Sequence, residues 1–317
     1  MARLAFTRCG AGAPLVLLHP LGMSRRVWDP VVPALAEHFD VLAIDLPGFG
    51  HSEPLPPQLE PEPAALAATV AGLLSELGIV APHLVGNSLG GWVALELAGM
   101  HPAASLTLLS PAGLWAGGTP AYNRLSLRAT RWLAQHAPGL LSRLVAYRAG
   151  RIAILGQSHG RPWRINADQA RATIRAMHSC PGFEATLAAT NTRHYQAEAT
   201  IDAPVTLAFG SRDLVLLPHQ SRHLDQLPAG TALQTLPGCG HVPMFDDPAA
   251  LTALIVASTA RGTDPLPRTV DERSPGVSGA ATLRPIVPGV REPVSPALIP
   301  SALIPSGLIP SGLNPPR

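Results

Sequence analysis

A serine at position 88 stands between two glycines, in Gly86-Asn87-Ser88-Leu89-Gly90. Leu84 and Val85 lead into it; Trp92, Val93, Leu95, Leu97 and Ala98 follow as a helical pattern. This reads as a strand, a sharp turn and a helix, with a hydroxyl at the tip. The turn demands a strained backbone at its apex, and the flanking glycines carry no side chain to clash there. A hydroxyl so held is exposed near a helix N-terminus and can attack a carbonyl carbon. Taken alone, the pattern also fits an ordinary helix N-cap serine. Two further groups favour chemistry. Asp213 lies just past the apolar run Val205–Ala208, and His241 follows the run 232–236. A serine hydroxyl is a poor nucleophile at neutral pH and needs a base within hydrogen-bond reach. His241 is the candidate base, later the acid for the leaving group. Asp213 is the candidate partner that holds the imidazole tautomer and stabilises the imidazolium.

These groups must be positioned by the elements between them. Apolar runs predict strands at 15–19, 40–44, 83–87, 105–109, 204–209 and 231–236. Helices are predicted at 25–38, 62–78, 89–100, 218–227 and 247–260; the second rests on Leu66, Val70, Leu73, Leu74 and Leu77 at spacings of three and four. Alternation of this kind implies a mostly parallel, twisted sheet with helices on both faces. Ser88, Asp213, His241 and the loop after Leu15–His19 all then fall at strand carboxyl ends, where chemistry gathers in open α/β sheets. The alternation breaks at 112–200, where only helical patterns such as 123–136 and 167–178 appear.

The chain resembles the α/β-hydrolase superfamily over roughly residues 4 to 260, in its group of small esterases, perhydrolases and carbon–carbon bond hydrolases. The resemblance rests on the G-x-S-x-G turn, on the order Ser, Asp, His, on Asp45-Leu46-Pro47-Gly48-Phe49-Gly50-His51-Ser52, and on Val242-Pro243-Met244-Phe245-Asp246-Asp247-Pro248. It implies an α/β-hydrolase core at 1–111 and 201–261 and a helical cap at 112–200. It also implies an oxyanion hole formed by the backbone N–H groups of Leu89 and Leu21. The usual His-Gly after the first buried strand is here His19-Pro20. Proline has no N–H, but the implied donor is the next residue, Leu21. His19 then buttresses that loop, Asp45 braces 45–52, Asp246 and Asp247 cap the last helix, and Trp92 packs in the core. His51, His219 and His223 are expected at the surface or at caps. Ser110-Pro111 occupies the place of an alternative triad acid.

The resemblance implies a cofactor-free serine hydrolase acting on a small-molecule carboxylic ester. A serine at the elbow argues against the dehalogenase and epoxide-hydrolase branches, which resemble this fold but use Asp there. A carbon–carbon bond hydrolase of aromatic ring-cleavage products is the alternative, with cap arginines holding a substrate carboxylate. Against it, many of those enzymes have Trp after the histidine, where this chain has Val242. A perhydrolase uses the same triad, and a ligand receptor on this fold is the non-enzyme alternative.

Composition narrows the partners. The 317 residues carry a net charge of +2 and are 46% hydrophobic but only 4% aromatic. That charge is too small to imply nucleic acid. All 23 basic residues are arginine. Residues 27–111 hold nine acids and no arginine; residues 112–199 hold eleven arginines against Asp168, Glu184 and Glu198. Attraction between the two halves is the simpler reading, and a basic cap favouring anionic substrates or surfaces the sharper one. Cys9, Cys180 and Cys239 show neither a disulfide framework nor a metal-binding spacing. Arg3 and Arg8 before Ala11–Leu18 mimic a short leader, but that stretch supplies the strand presenting Leu21, so it reads as interior. No apolar run reaches the length of a membrane span, and the chain is expected to be cytoplasmic. Residues 262–317 contain twelve prolines, no aromatic residue and a five-residue near-repeat, Ile-Pro-Ser-(Ala/Gly)-Leu. That composition predicts a disordered tail.

Overall fold

The computed structural model describes residues 2–261; the proline-rich tail expected at 262–317 lies outside them. Seven strands form one sheet in the order β1-β3-β2-β4-β5-β6-β7. They are β1 (Phe6–Cys9), β2 (Ala13–Leu18), β3 (Phe39–Ile44), β4 (His83–Asn87), β5 (Ser105–Leu109), β6 (Val205–Gly210) and β7 (Ala232–Leu236). Only β1 is antiparallel, paired to β3; every other neighbour is parallel. The parallel register sets Leu18 against Gly86, Asn87 against Leu109, Leu109 against Ala208, and Gly210 against Leu236. The carboxyl ends of β2, β4, β5, β6 and β7 are therefore level along one edge.

Alternate residues of the central strands feed two cores. Val16, Leu18, Leu84, Leu106 and Leu207 pack beneath α2 (Pro63–Glu76) and α3 (Leu89–Met100). Leu15, Leu17, Val85, Leu109 and Ala208 pack with Trp28, with Leu35 of α1 (Val32–Leu35) and with Leu251 and Ile255 of α9 (Pro248–Ala260). Five helices lie between β5 and β6: α4 (Ala121–His136), α5 (Pro138–Leu144), α6 (Arg148–Leu155), α7 (Ala167–His178) and α8 (Phe183–Thr190).

Two expected helices do not form. Residues 25–38 split into a turn at Arg25–Trp28 and the short α1, because Pro30 and Pro33 interrupt the chain. Residues 218–227 make turns instead: the Gln220 N–H donates to Leu217 O, and the His223 N–H leaves the segment for Leu114 O. Pro218 and Pro228 bracket this stretch, and its buried residues Ser221 and Leu227 would fall on different sides of a helix. Strand β1 was not foreseen. It is short, three of its four residues are exposed, and it lacks a two-sided apolar run.

The sheet and α3 approach each other at Gly90. A Cβ there would lie 2.2 Å from the Leu18 carbonyl oxygen, so any side chain pushes α3 off β2. Gly90→Ala is expected to lose roughly 2–4 kcal/mol of stability in a urea titration. Gly139, with open space around it, is the control, and its alanine variant should change stability by less than about 1 kcal/mol.

Candidate active site

Ser88 stands at the N-cap position of α3 with φ 54° and ψ −116°, and its side chain makes no capping hydrogen bond. For a non-glycine residue this conformation costs on the order of 1–3 kcal/mol and persists only when its surroundings over-determine it. They do so here. The Ser88 N–H donates to Leu109 O at 3.0 Å, and the N–H groups of Ala112, Gly91 and Trp92 donate to Ser88 O at 2.9–3.1 Å. A Cβ on Gly86 would meet the Gly90 carbonyl oxygen at 2.2 Å, so the elbow closes only around glycine. Ser88 is partly exposed, while Asn87 and Leu89 on either side are buried.

The His241 imidazole and the Asp213 carboxylate are joined by an Nδ1–Oδ2 hydrogen bond of 2.9 Å, and both side chains are almost wholly buried. Asp213 Oδ1 also accepts the N–H groups of Val215 at 2.9 Å and Leu216 at 2.8 Å. Burial alone would raise its pKa. The opposing charge and hydrogen bond of His241, the Leu216 N–H and the Ser110 hydroxyl outweigh burial and hold the carboxyl below its usual value. Asp213 thus stays ionised beside the ring. Ser88, His241, Leu21 and Leu89 all line one cavity of about 360 Å³, within the range of small-molecule sites.

The Leu21 loop is braced from behind. His19 is fully buried. Its Nε2 accepts the Leu46 N–H at 2.9 Å, so Nδ1 carries the proton and donates to Pro20 O at 2.8 Å. Burial lowers the His19 pKa, which favours that neutral ring. Asp45 accepts from the Arg25 N–H and guanidinium and from the His51 N–H, and its carbonyl accepts from the Ser52 hydroxyl. These contacts hold 45–52 as expected. Among the described residues, nothing accepts a hydrogen bond from the Leu21 N–H. Trp92 lies in the core, its indole N–H donating to Glu96 at 2.8 Å. His51, His219 and His223 are exposed.

One expectation is corrected. Asp247 caps α9 through the Ala250 N–H, but Asp246 does not cap. Its fully buried carboxylate accepts three N–H groups: Gly160 at 2.9 Å, Arg161 at 2.7 Å and Gly240 at 2.7 Å. It therefore ties the loop after α6 to the loop that carries His241. Arg161 adds bonds to Asp247 and to Pro237 O, and the Val242 N–H donates to Ser158 O at 2.9 Å.

Three residues near the site make contacts that the sequence did not predict. The Asn87 amide donates to Leu109 O at 2.8 Å and to His241 O at 2.9 Å, tethering the elbow to the histidine loop. Ser110, at φ 42°, reaches Asp213. His159 is buried against Phe245 and near Asp246 and His241, and its Nε2 has no protein partner. Asn87 was legible as a member of the elbow motif. The other two needed contacts between distant segments.

The model for the α/β-hydrolase fold matches residues 13–248, about three quarters of the chain. The chain belongs to the α/β-hydrolase fold family. It is a hydrolase. A pimeloyl-[acyl-carrier protein] methyl ester esterase of Aeromonas hydrophila is 47% identical over 105 residues, 33% of this chain and 39% of its own. An epoxide hydrolase of Mycobacterium tuberculosis is 34% identical over 204 residues, 61% of this chain and 93% of its own. The crystal structure of an enol-lactonase from Burkholderia xenovorans LB400 shares 25% identity with a TM-score of 0.64, covering 82% of this chain and 97% of its own.

Burial generates two expectations for this α/β-hydrolase. Asp246→Asn turns an amide NH₂ toward backbone donors, so it should cost about 3 kcal/mol or more. Asp247→Asn should cost about 1 kcal/mol or less. Chemical denaturation of the two variants checks the order. Burial also lowers the His159 pKa from 6.5 to about 4. The unfolded chain then binds the extra proton first, so acidification through this window removes stability, at up to about 1.4 kcal/mol per pH unit. His159→Phe should flatten that part of the stability–pH curve, measured by denaturation between the two values.

Proposed function

We propose that this hydrolase cleaves small, uncharged carboxylic esters through an acyl-enzyme. Ser88 attacks the acyl carbon while His241 takes its proton. Asp213 holds the ring with Nδ1 protonated, so Nε2 is the atom that receives the proton. The tetrahedral oxyanion is met by the N–H groups of Leu21 and Leu89, preorganised by the His19 brace and by the first turn of α3. His241 then protonates the leaving alkoxide. Water repeats the sequence on the acyl-enzyme and restores Ser88. The five helices between β5 and β6 serve as the cap over the site.

The observation that carries this reading is the buried His241–Asp213 pair beside a strained, partly exposed Ser88 at one apolar cavity. Serine at position 88 sets it apart from the Asp-dependent chemistry expected of the epoxide-hydrolase branch, despite the likeness to one such enzyme. The esterase and lactonase likenesses support acyl–oxygen cleavage, since a lactone is a cyclic ester.

The cavity wall favours an uncharged substrate. Among the described residues, His241 is the one lining residue that is neither apolar nor a neutral hydroxyl or amide; leucine, isoleucine, methionine, threonine and alanine make up most of the rest. Arg131, the buried arginine of the cap, spends its guanidinium on the Met177 and Cys180 carbonyls and on the Phe183 ring. Among the described residues, no arginine lines the cavity to hold a carboxylate, which weighs against the carbon–carbon bond hydrolase.

Turnover of matched p-nitrophenyl esters tests both parts. Ser88→Ala should lower kcat by several orders of magnitude, and Asp213→Asn by about 10⁴-fold if it follows the serine-protease precedent. An ester ending in methyl should be cleaved with at least about tenfold higher kcat/KM than one of equal length ending in a carboxylate, because a lone charge in this wall is poorly solvated. Wild-type activity in Ser88→Ala would end the nucleophile assignment. Equal rates on the two esters would end the charge argument alone.

A further inference from the structure

The cap's outer surface carries large apolar side chains that the described chain leaves between 40% and 72% exposed; the Trp132 ring stacks on that of His136 at 4.6 Å and keeps its other side open. On α4, Leu125 is 70% exposed and Trp132 57%, with Tyr122, Ala129 and Leu133 also exposed. At 100° per residue these five fall on one face, opposite the inward Asn123, Leu127 and Ala134. The pattern continues on the helices that follow. Leu140 and Leu144 of α5 are exposed one turn apart, Tyr147 before α6 is 72% exposed, and Ile152 of α6 follows. Helix α5 packs against both α4 and α6, so the apolar outer positions belong to one continuous layer. Most of the large exposed hydrophobic side chains of the described residues lie in this cap. Apolar exposure concentrated in this way marks an interaction surface.

Charge identifies the partner. Residues 112–167 contain no Asp or Glu, yet they include eight arginines. Arg143 and Arg148 are exposed, and Arg124 stands at the flank of the α4 stripe. The expected attraction between the basic cap and the acidic residues of 27–111 is realised among the described residues only at Arg193, which pairs with Glu60 and Glu62. Arg124, Arg143 and Arg148 have no acidic partner there, and Arg148 rests over the Trp163 ring at 6.0 Å. A second copy of this chain would bring a like-charged face against it. An anionic lipid surface satisfies both features. Leucine, tryptophan and tyrosine side chains enter the headgroup boundary, while arginines reach the phosphates from its edge. None of the described helices is long and apolar enough to cross a membrane, so the contact is one of lying on the surface.

We infer that the α4–α6 face docks on anionic phospholipid bilayers. The face also borders the cavity: Thr130, Leu133 and Ala153 are exposed residues of these helices and line it. A lipophilic ester dissolved in the bilayer would enter the site from this side. The docking itself does not depend on the ester reading.

The test is co-sedimentation of the full chain with large vesicles of phosphatidylcholine alone, or with about 30% phosphatidylglycerol. Wild-type protein should partition onto the anionic vesicles at least about tenfold more strongly, with the difference shrinking in high salt. The combined variant Leu125→Ser, Trp132→Ser, Tyr147→Ser removes apolar side chains that do not line the cavity. It should lose at least about tenfold of the partitioning and keep wild-type turnover of a soluble short ester. A second variant, Arg124→Gln, Arg143→Gln, Arg148→Gln, leaves the apolar stripe intact and should abolish the preference for anionic vesicles, so the inference stays testable if the first misfolds. Absence of binding, equal binding to both compositions, or binding unchanged in the variants overturns the inference. So does a dimer in sedimentation velocity that the serine variant dissociates, which would give the face to a second copy. Loss of ester turnover in Ser88→Ala with vesicle binding retained would separate this surface from the site.

Discussion

The left-handed backbone at Ser88 is the constraint on which the site depends. A serine does not take φ 54° unless the atoms around it leave no alternative. The alternative is removed by contact distance: Gly86 and Gly90 let the first turn of α3 press onto β4 and onto the end of β2. Four backbone hydrogen bonds then lock the residue to β5, to the loop after it and to its own helix. The same apex carries Asn87, whose amide holds the carbonyl of His241. The turn that exposes the hydroxyl thus also places the histidine loop beside it. Parallel pairing makes this coupling available, because it puts the carboxyl ends of β2, β4, β5, β6 and β7 at one edge.

Two buried carboxylates serve that histidine in different ways. Asp213 touches the ring and two backbone N–H groups, and its charge is balanced by the imidazole when that ring is protonated. Asp246 touches no ring nitrogen. It is satisfied by three backbone N–H groups from two segments, so it acts as a clasp between the loop after α6 and the histidine loop. A carboxylate can hold three such donors where a neutral amide cannot, because both its oxygens accept. The position of His241 therefore depends on the segment after α6 as well as on the sheet.

Helix α4 shows how one helix can face two media. The inner side of α4 gives Asn123, Leu127 and Ala134 to a wall that, among the described residues, has neither carboxylates nor guanidinium groups. Its outer side gives Leu125 and Trp132 to the surface, with arginines at the flank. Its three arginines, Arg124, Arg128 and Arg131, lie between these two faces. A charge count over residues 112–199, strongly positive, says little about the cavity, because the arginines point elsewhere or are spent on carbonyls, as Arg131 is.

The sequence by itself determined the class of fold, the order of the parallel strands' flanking motifs, and the post-strand positions of Ser88, Asp213, His241 and Leu21. Each of these is a local matter: apolar runs, helical spacing and glycine-bracketed turns are written within a dozen residues. It also placed Asp247 at a helix cap, one bond from Ala250. It misread 25–38 and 218–227, where prolines and loop hydrogen bonds override spacing that looks helical. Only the tertiary structure decided the rest. Asp246 bonds groups 85 and 86 residues away, and Asn87 one 154 residues away, and no pattern along the chain encodes such partners. That no arginine of the described residues lines the cavity, and which apolar side chains stay uncovered, was likewise settled by packing. A helix with apolar residues on two sides does not say from its periodicity alone which side the core will take.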